Sequence, residues 1–173
     1  MDWREFARLC EIIPNLYISS ATPSQELHTL QQNGIRKIVN LTAVHPCLFP
    51  DHIKYLHLPI QDMPGEDLLL ILGTACDFIQ RALDCSHGVL VHCSAGVSRS
   101  AAVCIAYLMK HSRLSLAEAY TRVKQARSVI SPNPGFIEQL IKWEKQIVGG
   151  PPSMRVTEDG DVQFIGTEQV QIS

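Results

Sequence analysis

A cysteine and an arginine six residues apart are the pair in this sequence best suited to chemistry. Cys93 and Arg99 bound the segment CSAGVSR, which follows the apolar stretch GVLVH and precedes a run of small and apolar residues. This pattern predicts a strand, a tight loop and the start of a buried helix. Backbone N–H groups at a helix start converge on one point, and the helix dipole favours an anion there. We therefore expect the loop to bind an oxyanion such as a phosphoryl group.

The residue types within this loop suit phosphoryl transfer. Gly96 permits the backbone to approach an anion closely, and Arg99 can bind two phosphoryl oxygens at once. A cysteine beside a helix N-terminus and an arginine is favoured as the nucleophilic thiolate. The sequence thus predicts a covalent phosphoryl-transfer site with Cys93 as nucleophile. The predicted phosphate-binding residues are Ser94, Ala95, Gly96, Val97, Ser98 and Arg99.

Transfer to a cysteine also requires an acid that protonates the leaving oxygen. Asp62 follows the predicted strand YLHLPI and precedes a proline–glycine pair, so it should lie on a loop at the carboxyl end of a strand. Ligands bind at that edge of an open α/β sheet. We predict Asp62 as the general acid, with Asp51 and Asp67 as alternatives.

Alternating strands and helices must position these side chains. Apolar, β-branched segments predict strands at residues 15–20, 36–42, 55–60 and 88–92. Apolar spacing and capping signals predict helices over residues 22–34, 66–83, 97–111, 115–127 and 134–148. The signals include a capping box at Ser115 and Glu118, and Asn133 as the cap of the last helix. The alternation favours an α/β fold with a central, mostly parallel sheet.

The bulk composition indicates one globular domain. The chain has 173 residues, 46% of them hydrophobic, and a formal net charge of -2. We assign residues 1–148 to a single domain and residues 149–173, which are polar and rich in turn formers, to a flexible tail. Nothing in the charge favours a nucleic acid or a membrane surface as partner, and no apolar run approaches a membrane span.

The cysteines are expected to be reduced. None of the six forms a C-x-x-C pair, and no cysteine–histidine cluster has the spacing of a zinc site. The N-terminal segment MDWREFARLC is amphipathic and contains acidic residues, which is not the pattern of a secretory signal. We therefore expect a cytoplasmic protein, small enough to enter the nucleus, that needs no metal or other cofactor.

The segment VHCSAGVSRSA resembles the signature of the cysteine-dependent protein tyrosine phosphatases. Three further segments resemble the small, atypical dual-specificity branch of that superfamily: PNLYISS, GIRKIVNLT and the long stretch from AYLMKHS to PNPGFIEQL. The resemblance covers about residues 12–147. It implies a central, mostly parallel sheet flanked by helices, and it places Asp62 at the position of the family's general acid.

The resemblance also implies supporting residues. Ser100 matches the hydroxyl that steadies the departing thiolate, and His92 matches a histidine that orients the loop. Asn133 falls in a segment that the family places near the active site, although a helix cap is its simpler role. Cys104 is most simply a core thiol, with a disulfide partner for oxidised Cys93 as the alternative.

The predicted function is that of a dual-specificity protein phosphatase. Few residues precede the first core strand, which favours a shallow site open to phosphoserine and phosphothreonine as well as phosphotyrosine. Expected partners are phosphorylated proteins, signalling kinases among them. The alternatives are a phosphatase for lipid or RNA phosphates, a catalytically silent phosphate-binding adaptor, and a sulfur-transfer or arsenate-reducing enzyme. The last class has no need of an acid where Asp62 stands.

Overall fold

A five-stranded sheet forms the centre of the protein, as seen in a computed structural model that describes residues 6–166. Its strands lie in the order β1-β2-β5-β3-β4, and only β1 is antiparallel to its neighbour. The strands are β1 (Cys10–Ile13), β2 (Leu16–Ser19), β3 (Ile35–Asn40), β4 (Lys54–His57) and β5 (Gly88–His92). This is the mostly parallel sheet that the sequence predicts.

Helices cover both faces of the sheet. They are α1 (Ala21–Ser24), α2 (Leu27–Gln32), α3 (Leu69–Asp84), α4 (Arg99–Ser112), α5 (Leu116–Ala126) and α6 (Pro134–Ile147). Strand β5 is buried along its whole length and sends alternate side chains to two separate clusters. Val89 and Val91 join the main core, whereas Leu90 joins a smaller cluster beside α2. Strands buried on both faces have continuous apolar sequences, which explains the segment GVLVH.

Helix α4 is the central helix of the main core. Residues 100–109 are all buried, because α3, α5 and α6 surround it. Its first residue, Arg99, comes directly after the loop that leaves β5. A helix buried on all sides gives that loop a rigid support.

Two predicted helix caps are present in the structure, whereas one predicted helix is divided in two. Ser115 and Glu118 form the predicted capping box of α5, and Asn133 caps α6. The helix predicted over residues 22–34 is instead split into α1 and α2, because Glu26 adopts an extended backbone conformation between them. The Ser24 hydroxyl also donates to Ala21 O at 2.7 Å, a local bond that competes with helix continuation.

The predicted flexible tail does not hold for the first part of residues 149–173. Strands β6 (Met154–Val156) and β7 (Val162–Phe164) form an antiparallel hairpin that packs on α6. Met154 is fully buried, and Ser153 donates to the buried Glu144 carboxylate at 2.6 and 3.0 Å. These contacts arise only in the folded chain, so periodicity could not reveal them. Residues 167–173 lie outside the described residues.

Candidate active site

The segment between β5 and α4 forms a tight loop at the carboxyl edge of the sheet. Gly96 adopts a φ of +69°, and a Cβ there would lie 2.5 Å from the carbonyl carbon of Ser19 on neighbouring β2. Ala21 N–H donates to Ser94 O at 3.1 Å from the same side. Both the backbone conformation and the close approach require glycine at position 96.

Cys93 lies at the centre of this loop with hydrogen-bond donors around its sulfur. Gly96 N–H donates to Cys93 Sγ at 3.2 Å, and Ser100 Oγ lies 3.3 Å from the same sulfur. The side chain is 1% exposed. Hydrogen bonds of this kind stabilise negative charge on sulfur, so the geometry suits a thiolate.

The Arg99 guanidinium is fixed from two sides by two of its five N–H donors. Its Nη1 donates to Ile60 O and its Nη2 to Ser94 Oγ, both at 3.2 Å. Within residues 6–166, the buried Nε–H meets no protein acceptor. An arginine held in this way can present an N–H to an oxyanion without reorganising its side chain.

Asp62 is the carboxylate that the structure brings to the loop. Its Oδ1 accepts from Ser98 Oγ at 2.6 Å and from Asn133 Nδ2 at 2.9 Å. Asn133 also caps α6 through its Oδ1, which accepts from Phe136 N–H at 2.9 Å. In the described part of the chain, neither Asp51 nor Asp67 forms a hydrogen bond with the loop.

His92 supports the loop from beneath. The buried ring lies with Nδ1 3.3 Å from Cys93 O, and since a carbonyl can only accept, the proton is on Nδ1. The pKa of His92 is lowered to about 4, chiefly by burial; the hydrogen bond to Cys93 O raises it in part, and His45, His57 and Arg99 make smaller lowering contributions. The ring is therefore neutral at physiological pH.

Cys104 lies in the core of the molecule. It is fully buried, and burial raises the pKa of its thiol well above the usual value, with smaller contributions from Cys76 and Cys93. All six cysteines are free thiols. A buried, protonated thiol is a poor nucleophile, which favours the core role for Cys104 over the disulfide alternative.

Two residues of the site have no signal in the sequence. Arg127 donates to the carbonyl oxygens of Ala95 and Gly96 across 31 or more positions of the chain. Gly135 lies against the backbone of Pro64, next to Asp62, and a Cβ there would meet Pro64 O. Both contacts join segments far apart in sequence, so neither spacing nor composition could identify them.

Neither a metal centre nor a membrane span is found in residues 6–166. No group of three or more histidine, cysteine or acidic side chains could hold a metal ion there. None of the helices in this range is both long and apolar enough to cross a bilayer.

Comparison with known proteins gives one consistent family. Residues 16–146 match the family described as dual specificity phosphatase, catalytic domain. Human dual specificity protein phosphatase 1 is 39% identical over 157 residues, which are 87% of this chain and 43% of that protein. The chain thus spans about two fifths of the length of the curated relatives it matches first.

Solved structures show the same fold over most of their own length. Human DUSP28 superposes with a TM-score of 0.77 at 40% identity, covering 80% of this chain and 93% of that one. Human tyrosine phosphatase-like serine/threonine/tyrosine-interacting protein superposes with a TM-score of 0.78 at 32% identity, covering 81% and 97%. The matched residues include the loop, Arg99 and Asp62. The chain belongs to the dual specificity phosphatase catalytic domain family.

Proposed function

We propose that this chain is a protein phosphatase that hydrolyses phosphotyrosine, phosphoserine and phosphothreonine through a phosphocysteine intermediate. One observation carries the proposal. The Cys93 sulfur accepts from Gly96 N–H inside the loop, and Asp62 is hydrogen-bonded to Ser98 of the same loop. Nucleophile and acid are therefore positioned around a single oxyanion site.

In the first step the Cys93 thiolate attacks phosphorus opposite the leaving oxygen. An S–P bond forms and the P–O bond to the substrate breaks. Arg99 and the loop N–H groups stabilise the charge on the equatorial oxygens. Asp62 gives its proton to the leaving alkoxide or phenoxide, which departs as the alcohol or phenol.

In the second step water attacks the phosphocysteine. Asp62, now a carboxylate, accepts a proton from that water, and the S–P bond breaks to release phosphate. Ser100 Oγ, 3.3 Å from the sulfur, donates to the thiolate as it departs. These steps draw only on groups of the chain and on water.

The proposed substrates are phosphorylated proteins, signalling kinases among them. Residues 61–65 around Asp62 are all exposed, so the acid lies at the surface rather than at the bottom of a deep pocket. A shallow site admits the short phosphoserine and phosphothreonine side chains as well as phosphotyrosine. The six free thiols fit a reducing compartment, and we propose the cytoplasm and nucleus as the place of action.

A phosphate-binding adaptor is the alternative from another functional class. One structural neighbour is described as a phosphatase-like interacting protein. This chain has a cysteine, an arginine and an aspartate in hydrogen-bonded positions around one loop, which an adaptor would not need. We therefore favour turnover over binding alone.

The test is phosphate release from an aryl phosphate in the presence of a chelator, comparing wild type with Cys93→Ser. We expect wild-type activity and loss of at least about 10³-fold in the variant, because the nucleophile is gone. A panel of phosphopeptides, a phosphoinositide and an RNA 5′-phosphate then identifies the substrate class. Freshly reduced wild type without activity would favour the adaptor, and a preference for the lipid or RNA would overturn the protein substrate.

A further inference from the structure

The carbonyl oxygens of the phosphate loop all point away from the oxyanion site and accept hydrogen bonds from the surrounding protein. The donors come from His92, Ala21, α4 and the segment before α6 for four of the carbonyls, and from Arg127 for the remaining two. In chain order the pairs are Cys93 O with His92 Nδ1, Ser94 O with Ala21 N, Ala95 O and Gly96 O with Arg127, Val97 O with Ser131 N, and Ser98 O with Ala102 N.

Arg127 binds the two carbonyls in the middle of the loop with one edge of its guanidinium. Nη2 donates to Ala95 O at 3.1 Å and Nε donates to Gly96 O at 2.7 Å. The side chain is 2% exposed, and it also donates to Phe6 O and Arg8 O of the N-terminal segment. A planar fork can bind two successive carbonyls in a way that a single ammonium cannot.

The peptide plane converts this contact into an effect on the oxyanion site. A carbonyl and the N–H of the next residue belong to one planar unit and point in opposite directions. With Ala95 O held outward, Gly96 N–H must point inward, and it does donate to Cys93 Sγ at 3.2 Å. With Gly96 O held outward, Val97 N–H points to the same side.

Apart from Gly96 N–H, which donates to Cys93 Sγ, the inward N–H groups are left available for an oxyanion by residues 6–166. In the described part of the chain, no protein acceptor receives the N–H groups of Ser94, Ala95, Val97 or Ser98. The loop could turn these peptides over only by giving up the bonds that their carbonyls accept. For the two central peptides, that bond is to the Arg127 guanidinium.

We propose that Arg127 is a positioning residue for the phosphoryl group: it fixes the peptides after Ala95 and Gly96 so that their N–H groups face the nucleophile and the oxyanion. Arg127 does not touch the substrate. The positive charge of Arg127 also lies at the carbonyl end of the two peptides. It polarises them, so that their N–H groups become stronger hydrogen-bond donors. The inference rests on the proposed phosphatase activity of the same loop.

The experiment compares Arg127→Lys and Arg127→Gln with wild type in the full chain. Calorimetry measures tungstate binding, and steady-state kinetics with an aryl phosphate give kcat and KM. Thermal unfolding gives the folded fraction of each variant. Removing a residue that orients a metal ligand typically costs about 10- to 100-fold in affinity, and we expect an effect of the same order for a residue that orients a phosphate loop. We expect about 100-fold weaker tungstate binding for Arg127→Gln and about 10-fold for Arg127→Lys, with kcat lowered in the same order.

Glu144→Gln is the matched control. Like Arg127, Glu144 is 2% exposed and forms several hydrogen bonds, but as an acceptor, and its donors are Leu116 N–H and Ser153, away from the phosphate loop. This variant should lose stability while its folded molecules keep the wild-type dissociation constant for tungstate. It therefore separates loss of the loop geometry from general loss of stability.

The outcomes distinguish the two claims. If wild type binds tungstate and both Arg127 variants bind it equally well once the folded fraction is counted, the positioning role is wrong and the phosphatase proposal stands. If wild type neither binds tungstate nor turns over, both are wrong. If Arg127→Gln does not fold, Arg127→Lys decides, since it keeps the charge and loses only the two-carbonyl geometry.

Discussion

Asp62 is an exposed side chain, yet its carboxylate is held by donors from two different parts of the chain. Ser98 comes from the phosphate loop and Asn133 from the cap of α6, and both bind the same oxygen, Oδ1. Within residues 6–166 no protein donor binds the second oxygen, Oδ2, and the proposed mechanism places the transferred proton there. This arrangement makes Asp62 the residue whose removal should separate chemistry from binding.

We expect Asp62→Ala to lower kcat by about 10²- to 10⁴-fold while changing KM little, because general acid catalysis acts in the transition state. The measurement is steady-state kinetics on a phosphopeptide across pH, together with retention of the phosphopeptide as a trapped complex. Asp62→Asn is the matched variant, since it keeps the bonds from Ser98 and Asn133. Near-normal turnover of Asp62→Ala over the pH range would show that another group is the acid.

The buried, neutral His92 predicts a loss of stability in acid. The pKa is about 4 in the folded state against about 6.5 in the unfolded chain, so the unfolded state binds a proton first as pH falls. The stabilisation that the folded state gains from keeping His92 neutral is fully present above pH 6.5. As the pH falls below 6.5 it is lost, by about 2–3 kcal/mol at pH 4.5. Urea unfolding at pH 7 and at pH 4.5 measures this loss. The free energy of unfolding should fall between the two pH values by about 2–3 kcal/mol less in His92→Asn than in wild type. An unchanged difference would mean that His92 does not titrate as described.

At the scale of elements, the loop that carries Asp62 is docked on helix α6. Gln139 on that helix donates from Nε2 to Glu66 O at 2.8 Å and accepts from Leu69 N–H at 3.2 Å. Gly135, in the first turn of α6, leaves just enough room for the backbone of Pro64. This loop, residues 58–68, carries the proposed acid and is called the acid loop below. Contacts with α6 position it rather than its own sequence.

Gly135→Ala should move the acid loop and slow the reaction. The added Cβ would meet Pro64 O and lie 2.5 Å from Pro64 Cα, so backbone has to shift. A displacement of about 1 Å can cost about 100-fold in rate. We expect kcat to fall about 10- to 100-fold with tungstate affinity unchanged, and little further loss when Gly135→Ala is combined with Asp62→Ala.

Gly73→Ala is the control for this variant. Gly73 lies in the interior of α3, and a Cβ there has nothing within 4 Å. The change should raise stability by up to about 1 kcal/mol without altering kcat. Equal kcat in Gly135→Ala and wild type would mean that the acid loop tolerates the shift.

At the scale of the whole molecule, the segment after α6 belongs to the folded domain. The buried Glu144 carboxylate accepts from Leu116 N–H at the start of α5 and from Ser153 before the hairpin. Ala117 N–H donates to Ser153 Oγ at 2.9 Å. Ser153 therefore completes, together with Glu144, the N-terminal cap of a helix that lies earlier in the chain.

Met154→Ala tests whether this segment stabilises the domain. Its side chain is fully buried in the main core, so truncation should lower the free energy of unfolding by about 2–5 kcal/mol. Ile165→Ala, at a position that is 44% exposed, should change it by less than about 0.5 kcal/mol. Urea unfolding measures both. Equal stability of Met154→Ala and wild type would restore the flexible-tail interpretation.

Local signals account for what the sequence predicted of the fold. Strand β5 is recognisable because a strand covered on both faces is continuously apolar, and β3 is recognisable from its β-branched residues. The caps of α5 and α6 are recognisable because a cap lies within three residues of its partner. Strand β1 and the β6–β7 hairpin are not predicted from the sequence, since each strand has only three or four residues, too few to show an alternating pattern.

By itself, the sequence determined the chemistry: a cysteine, five loop residues and an arginine between a strand and a helix, with Asp62 after a neighbouring strand. The phosphate-loop signal is local, because residues 93–99 lie next to each other in the chain, and Asp62 was predicted separately from its place after a strand. Only the tertiary structure decided how they are held. The contacts of Arg127 with the loop, Asn133 with Asp62 and Gly135 with Pro64 join residues that are 31 to 71 positions apart. Such pairs leave no mark on spacing or composition, since they exist only after the sheet and helices have packed.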